Sequence, residues 1–446
     1  MKAQVARGMR DFLPADVRKR NYVINIIKEI YESYGFEPLE TPAIENLETL
    51  LGKYGEEGNQ LIFKILKRGE KLRRVLESGE KIENENALAD LALRYDLTVP
   101  LARVVANYKD KLPRFFKRYQ IQPVWRADRP AHGRFREFYQ CDLDAVGSTS
   151  PLVEVEIFSV ICDVFKRLGF EDFTIRLNHR KLLKELLDVC KITESLQTEV
   201  LIAIDKLDKI GIEGVKKEFQ ERGIQKDSAD KILNLFERLC ELNNQSVLQE
   251  LEKFIGKKTE SIENLETLLK LANNPYLKLD ASLARGLTYY TGAIMEVNVK
   301  NLSGSLGGGG RYDCLIGMFG KEQIPACGFS LGLERIIVVM EEKNLFPEQL
   351  QTSSADVMIT IWDEQTIAES LKIASFLRNQ GLKVLVYPEA DKLNKQLRYA
   401  SQIGVPYVCI LGESEIVEGK VSLKNMLSGD QEKLDKNELK SKILRR

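Results

Sequence analysis

Three hydrophobic patterns follow one another along this chain of 446 residues, and their order limits the folds that it can adopt. A helical repeat with short β-type runs comes first, a proline-free amphipathic stretch at 181–254 follows, and β-type runs then return. A helical block between two β-type regions indicates an insertion into a mixed α and β domain. After a polar break at 349–354 the runs alternate as βαβαβ, which predicts a separate, mostly parallel C-terminal domain.

Length and composition agree with several globular domains. At roughly 150 residues per domain, the chain has room for about three. Hydrophobic residues make up 43% and charged residues 30%, which is close to the globular average. The 66 basic and 66 acidic side chains cancel, so the net charge indicates no class of partner.

Cysteine usage and the N-terminus predict a cytoplasmic protein. The seven cysteines stand singly with no CxxC pair, which favours thiols in a reducing compartment. The first residues lack an apolar run of signal-peptide length, and no stretch of eighteen apolar residues occurs.

Several enzyme classes are excluded by what the chain lacks. Its two histidines, His132 and His179, do not form an HExxH zinc motif and leave few ways to build a Ser-His-Asp triad. The glycine run 307–310 matches neither GxGxxG nor GxxxxGK[ST], so dinucleotide-binding and Walker-type ATPase folds lose their main support. We assign His179 no functional role.

A predicted hairpin concentrates cationic and aromatic side chains. Its β-type runs at 118–125 and 138–144 flank a polar loop at 127–136. Guanidinium groups bind phosphate and aromatic faces stack on bases, so the mixture suits a nucleotide. A solvated basic strand over core aromatics explains the same composition.

Arg335 gives a second indication of an anion. It lies in the first turn of a predicted helix, where its charge opposes the helix dipole unless an anion binds in front of it. A phosphate group would supply that anion.

Five segments in this order resemble a known family. The strand ending at Pro42, the arginine-bearing strands and loop at 126–140, and Gly-Leu-Glu-Arg at 332–335 resemble the three signature motifs of class II aminoacyl-tRNA synthetases. The segments 285–290 (Arg-Gly-Leu-Thr-Tyr-Tyr) and 308–313 (Gly-Gly-Gly-Arg-Tyr-Asp) resemble two motifs of the histidyl-tRNA synthetase family.

The resemblance implies a fold and an activity. The expected fold is an α+β class II synthetase catalytic domain at 1–350, a mostly antiparallel sheet with flanking helices and a helical insertion at 181–254. An α/β anticodon-binding domain is expected at 355–446. The implied reaction joins L-histidine to ATP and then to tRNA(His), with Mg²⁺ on the nucleotide and a homodimer as the working form.

The resemblance also implies roles for individual residues. Arg126 and Arg285 match the catalytic arginines on either side of the α-phosphate. The ATP-binding residues that it implies are Arg126, Asp128, Arg134, Phe138 and Arg335. The histidine-binding residues that it implies are Asp96, Leu97, Thr98, Arg126, Gln140, Asp144, Arg285, Tyr289, Tyr290 and Tyr312.

Two alternatives share this fold. The regulatory subunit of ATP phosphoribosyltransferase is a non-catalytic relative that normally lacks the anticodon domain and loses the motif arginines. Threonyl, prolyl and glycyl synthetases share the C-terminal domain, but the segment 285–290 disfavours them.

Overall fold

The computed structural model describes residues 3–78, 84–284, 289–300, 302, 304–347, 350, 353 and 355–444. The chain forms two compact units, one of residues 1–11 and 20–345 and the other of residues 12–19 and 346–446. No helix in these described ranges is long and apolar enough to cross a membrane.

The first unit contains eleven strands within its described residues. They are β1 Glu37–Pro38, β2 Ile44–Asn46, β3 Lys64–Leu66, β4 Ala89–Leu93, β5 Phe116–Trp125, β6 Glu137–Val146, β7 Phe173–His179, β8 Leu277–Leu279, β9 Ala293–Val299, β10 Gly307–Arg311 and β11 Ala326–Gly332.

The helices up to residue 345 differ widely in length. They are α1 Pro14–Ser33, α2 Leu47–Leu50, α3 Gly55–Gln60, α4 Glu70–Glu77, α5 Thr98–Tyr108, α6 Leu152–Arg167, α7 Arg180–Val189, α8 Glu194–Ile204, α9 Leu207–Glu221, α10 Lys226–Cys240, α11 Asn244–Ile255, α12 Glu260–Ala272 and α13 Leu333–Glu342, with short 3₁₀ helices at Glu85–Leu88 and Ile316–Met318.

Most of the strands of the first unit form one large sheet. Over the described residues its order is β1-β5-β6-β11-β10-β9-β7-β8, and only the edge pairs β1-β5 and β7-β8 are parallel. A smaller antiparallel sheet has the order β2-β4-β3. The mostly antiparallel sheet that the sequence predicts is therefore confirmed.

The hairpin predicted from the β-type runs at 118–125 and 138–144 is present as strands β5 and β6 of the large sheet. Strands β5 and β6 pair antiparallel over ten residues each, and β6 also pairs with β11. Residues Phe116 to Trp125 are paired with Val146 to Glu137 without a register shift. This long, regular ladder fixes which side chains of the two strands share a face.

The helical block extends further than the sequence pattern predicts. Helix α11 ends at Gly256, which adopts a left-handed conformation with φ of 84°. Helix α12 then adds Glu260–Ala272, with buried Ile262, Leu265 and Leu268 on one face. The helices therefore run from Arg180 to Ala272, whereas the predicted block ends at 254 because Gly256 and the lysines after it interrupt the pattern.

The second unit follows the predicted βαβαβ order. Its strands are β12 Val357–Ile359, β13 Val384–Val386, β14 Tyr407–Ile410, β15 Lys420–Asn425 and β16 Gln431–Asp435, and its helices after residue 346 are α14 Ile367–Asn379, α15 Leu393–Ile403, α16 Glu413–Glu418 and α17 Lys436–Leu444. The first three strands are parallel, and β15 and β16 add an antiparallel edge. Buried Val357, Ile359 and Cys409 contribute to a core of its own.

Glu334 is a buried carboxyl that links α13 to β6. Its Oε2 accepts a hydrogen bond from the N–H of Tyr139 at 2.8 Å, and Arg20 lies 3.7 Å from its Oε1. Burial raises the pKa of Glu334 to about 7, although the N–H of Tyr139 and the charge of Arg20 act in the opposite direction. The folded protein therefore holds a proton that the unfolded chain releases above about pH 4.5.

We predict that Glu334→Gln removes part of the pH dependence of stability. Stability from the protonated carboxyl is complete below about pH 4.5 and is lost as the pH rises through about 7. As the pH rises between those limits, the free energy of unfolding of the parent should fall by roughly 3 kcal/mol more than that of the variant. Urea unfolding at several pH values measures this difference in stability. The fluorescence of Trp125 reports on unfolding when both proteins carry Trp362→Phe. Equal pH dependence of Glu334→Gln and the parent would contradict it, and the exposed Glu48→Gln serves as control.

Candidate active site

A cavity of about 210 Å³ lies against the large sheet of the first unit. Its walls come from the start of α5, from β6 and the loop before it, from β10 and β11, and from the start of α13. The residues expected from the sequence that line it are Asp96, Thr98, Arg126, Phe138, Gln140, Asp144, Tyr289, Tyr290, Tyr312 and Arg335.

Three of the expected residues that the structure describes do not line this cavity. The side chain of Leu97 is fully buried, and its carbonyl oxygen accepts a hydrogen bond from Arg118 at 3.1 Å. Asp128 and Arg134 form an ion pair with an N–O distance of 2.8 Å. Arg285 lies outside the described residues.

Polar residues alternate along β5 and β6 and face each other across the ladder. Arg118 pairs with Asp144, Gln120 with Asp142, and Gln122 with Gln140. Side chains two residues apart on a strand share a face, so three cross-strand polar pairs lie side by side. Gln140, Asp142 and Asp144 all line the cavity.

The buried ion pair of Arg118 and Asp144 is the centre of this polar face. Arg118 is fully buried, and its guanidinium lies 2.8 Å from Asp144 Oδ2. The hydroxyl of Tyr312 donates a short hydrogen bond to Asp144 Oδ1. Burial raises the pKa of Asp144, while the charge of Arg118 and the hydroxyl of Tyr312 oppose this rise.

Glycine at 328 makes room for the carboxylate of Asp144. Gly328 on β11 is paired with Asp144 in the sheet. A Cβ added at Gly328 would overlap Asp144 Oδ1. Any side chain at this position would therefore displace the carboxylate from its partners.

Asp142 lies next to this ion pair, but its carboxylate accepts no hydrogen bond of good geometry within the described part of the chain. It is 1% exposed, and burial raises its pKa to about 7; the charges of Asp144 and Asp96 raise it further, while that of Arg118 lowers it. The Ser330 hydroxyl also lowers this pKa, yet neither carboxylate oxygen accepts a hydrogen bond of good geometry from the described residues. Arg118 lies directly against Asp144, so its charge stabilises the ionised form of Asp144 most directly.

Asp96 holds the start of α5 and also faces the cavity. Its Oδ1 accepts from the N–H of Val99 at 3.0 Å and from the hydroxyl of Tyr54 at 2.9 Å. The hydroxyl of Tyr289 lies 3.5 Å from its Oδ2. Asp96 Oδ1 is thus engaged just before the N-cap of α5, and Oδ2 is the more available acceptor.

Arg126 lies between two aromatic rings at the cavity. Its guanidinium carbon is 4.3 Å from the ring centre of Tyr95 and 5.2 Å from that of Phe138. Its Nε donates to the carbonyl oxygen of Tyr95 at 3.0 Å. These contacts orient a cation without neutralising it, so it keeps its charge for an anion.

Arg335 is the third residue of α13 and lines the same cavity. Burial lowers its pKa and the charge of Arg134 lowers it further, while the charge of Glu296 acts in the opposite direction. Two guanidinium groups that repel each other indicate a place where an anion would be stabilised.

His179 has a structural place. It is the N-cap of α7, where its Nδ1 accepts from the N–H of Lys181 at 3.1 Å, and burial lowers its pKa to about 4. These contacts indicate a structural role for His179.

Sequence reasoning missed Arg118, Asp142 and Tyr54 as residues of this site. The signal for the first two was the alternation of polar residues in two strands that are otherwise apolar enough to be buried. No sequence signal connects Tyr54 with Asp96, because their contact depends on how α3 packs.

Comparisons with known proteins agree with this geometry. The model of the histidyl-tRNA synthetase family matches residues 8–336, and that of the anticodon binding domain matches residues 354–446. The histidine-tRNA ligase of Christiangramia forsetii is 44% identical, with 98% of each chain covered, and that of Flavobacterium johnsoniae is 42% identical, with 99% covered.

The crystal structure of histidyl-tRNA synthetase from Nostoc sp. PCC 7120 is similar over 100% of both chains, with a TM-score of 0.81 and 31% identity. The family model spans more than half of this chain, and the two ligases match it over nearly their full length. The chain therefore belongs to the histidyl-tRNA synthetase family.

Proposed function

We propose that the cavity binds L-histidine and ATP and that the protein is a histidine-tRNA ligase. The carboxylate of histidine attacks the α-phosphate of ATP, which gives histidyl-adenylate and pyrophosphate. A terminal ribose hydroxyl of tRNA(His) then takes the histidyl group and releases AMP. The observation that carries this proposal is the Asp144 carboxylate, held by Arg118 and Tyr312 in the cavity that also contains Arg126 and Arg335.

Asp144 and Tyr290 are the proposed contacts of the imidazole ring. An ionised Asp144 only accepts, so it selects the tautomer with N–H towards itself. The hydroxyl of Tyr290 then donates to the other ring nitrogen. Since Arg118 already balances the charge of Asp144, the pair favours a neutral imidazole over an imidazolium.

The remaining histidine contacts are proposed around the other groups of the substrate. Asp96, Thr98 and Gln140 supply acceptors for the ammonium group, and Leu97 holds this segment through its backbone. Tyr289 and Tyr312 form walls of the pocket, with ring centres 5.9 Å apart.

Arg126 and Arg285 are proposed to stabilise charge on the α-phosphate from two sides. Such preorganised charge is usually the largest contribution to catalysis. Arg335, together with Arg134, is proposed to bind the terminal phosphates, and Phe138 to stack on adenine. Asp128 is proposed as a further ATP contact, acting through its ion pair with Arg134.

Mg²⁺ is proposed to accompany the nucleotide. No group of three or more His, Cys, Asp or Glu side chains in the described ranges could hold a metal ion. We propose that the triphosphate carries the cation, since Mg²⁺ keeps several waters and is usually bound through substrate phosphates. We assign no step of the reaction to it.

The second unit is the proposed reader of the anticodon, because the anticodon-binding model matches it. The predicted insertion at 181–254 is the proposed contact for the acceptor stem, through lysines that bind phosphate. We also propose a homodimer in the cytoplasm. Full-length similarity to catalytic ligases supports this activity over that of a non-catalytic regulatory relative.

We predict that histidine alone among the protein amino acids stimulates ATP-pyrophosphate exchange by the full chain. Truncation after Leu350 should keep exchange but largely abolish tRNA charging, because the proposed anticodon reader is removed. That end point retains Leu350 and Phe346, which contact Arg18 and Lys19. Circular dichroism checks that the shortened protein folds. Full charging by it would contradict the assignment of the second unit.

We predict that Arg285→Ala lowers the rate of adenylate formation by orders of magnitude and moves histidine binding much less. Arg285→Lys should restore only part of the rate, since a point charge does not reproduce the planar guanidinium. Single-turnover adenylate formation measures both variants. The exposed Arg74→Ala is a matched control. Parental rates in both Arg285 variants would make this residue structural.

We predict that Tyr290→Phe raises the KM for histidine roughly two- to tenfold, as expected for one lost neutral hydrogen bond. The KM for ATP should stay unchanged. This variant is cleaner than Asp144→Asn, which would leave Arg118 buried without its counter-charge. Tyr34→Phe, outside the cavity, controls for loss of a hydroxyl. An unchanged KM for histidine in Tyr290→Phe would place the imidazole elsewhere.

A further inference from the structure

Asp142 is a buried acceptor in the cavity that accepts no hydrogen bond of good geometry from the described residues, although the Ser330 hydroxyl is near enough to lower its pKa. It is 1% exposed, and both of its carboxylate oxygens lack a hydrogen-bond partner. Two residues earlier on β6, the Oε1 atom of Gln140 also lacks one, while its Nε2 donates to the Ser330 hydroxyl at 2.7 Å. Buried acceptors are nearly always paired, because an unpaired one costs roughly 1–3 kcal/mol.

Arg118, the neighbouring cation, does not donate a hydrogen bond to Asp142. Arg118 makes its close contact with Asp144, and its other hydrogen bonds go to Leu97 and Gln120. On the other side, Asp96 is near enough for its negative charge to raise the pKa of Asp142. The corner of the cavity around Gln140 and Asp142 is therefore rich in acceptors, and Arg118, whose charge lowers the pKa of Asp142, makes its close contact with Asp144 instead.

The chemistry of the corner defines what it would bind. Three acceptor atoms without donors, two of them on a carboxylate, match a primary ammonium group with three N–H donors and one positive charge. An imidazole offers one N–H in its neutral form, and Asp144 already accounts for it in the proposed complex. A carboxylate or phosphate would be repelled.

We propose that Asp142 is a positioning residue that binds the α-ammonium group of histidine together with Gln140. This inference rests on the proposed function of the cavity and adds a residue to it. The resemblance of the sequence assigns the ammonium to Asp96, Thr98 and Gln140 only. In the structure Asp96 Oδ1 is already engaged with Val99 and Tyr54, which leaves Asp142 as the carboxylate with both oxygens open.

Two probes separate an ammonium contact from any other effect. L-Histidinol carries the imidazole and the ammonium but no carboxylate, whereas 3-(imidazol-4-yl)propionate carries the imidazole and no ammonium. Calorimetric binding of each probe to the full-length protein gives two affinities for every variant. Asp142→Asn keeps the shape of the side chain and removes its charge, and Asp142→Ala provides a second variant with no acceptor.

We expect both Asp142 variants to weaken histidinol binding roughly ten- to a hundredfold, as for a lost hydrogen bond to a charged group. Binding of the propionate should stay at the parental level. Tyr290→Phe is the matched control, since loss of a ring contact should weaken both probes by the same factor. The KM for histidine should rise in parallel with histidinol.

Equal weakening of both probes in the Asp142 variants would overturn the proposal, because the residue would then support the ring or the fold. Unchanged binding of both probes would overturn it as well. Failure of the proposed function looks different, since the parent protein would then show no histidine-dependent pyrophosphate exchange and would bind neither probe.

Discussion

One buried ion pair determines how the rest of the cavity can be used. Arg118 and Asp144 face each other across the β5-β6 ladder, with no exposed surface on the arginine. Removing charges from water is costly, and the pair is stabilised by its own close contact, by the hydroxyl of Tyr312 and by the carbonyl oxygen of Leu97. Gly328 on the adjacent strand leaves the space that the carboxylate occupies. The pair therefore fixes a carboxylate whose charge is already balanced before any substrate arrives.

Because Arg118 balances the charge of Asp144, the three buried carboxyls of the cavity differ in what they can bind. In the proposed complex Asp144 accepts from an N–H of a neutral ring and Asp142 binds a cation, while Asp96 holds the start of α5. Arg126 and Arg335 bring positive charge to the same cavity, and we propose that it stabilises the nucleotide. Acceptors for an amino acid and donors for phosphate thus occupy the same cavity, as a reaction between a carboxylate and a phosphate requires.

Sequence reasoning predicted the parts of the fold that have strong local signals. The β5-β6 hairpin and the βαβαβ order of the second unit follow from alternation and turn residues. Strands β15 and β16 were not predicted, because their segments are rich in lysine and glutamate and resemble solvated loop. The resemblance supplied Asp144 and Gln140 as candidates, whereas Arg118 needed the register that places it opposite Asp144.

The protonation state of the imidazole ring of bound histidine tests this account most directly. A full-length complex with histidine labelled with ¹⁵N in the ring reports by NMR whether each ring nitrogen carries a proton. We predict one protonated and one unprotonated nitrogen at neutral pH, because Arg118 already neutralises Asp144 and Tyr290 donates to the second nitrogen. Two protonated nitrogens would contradict the account, since the ring would then be a cation paired with a carboxylate that Arg118 does not balance.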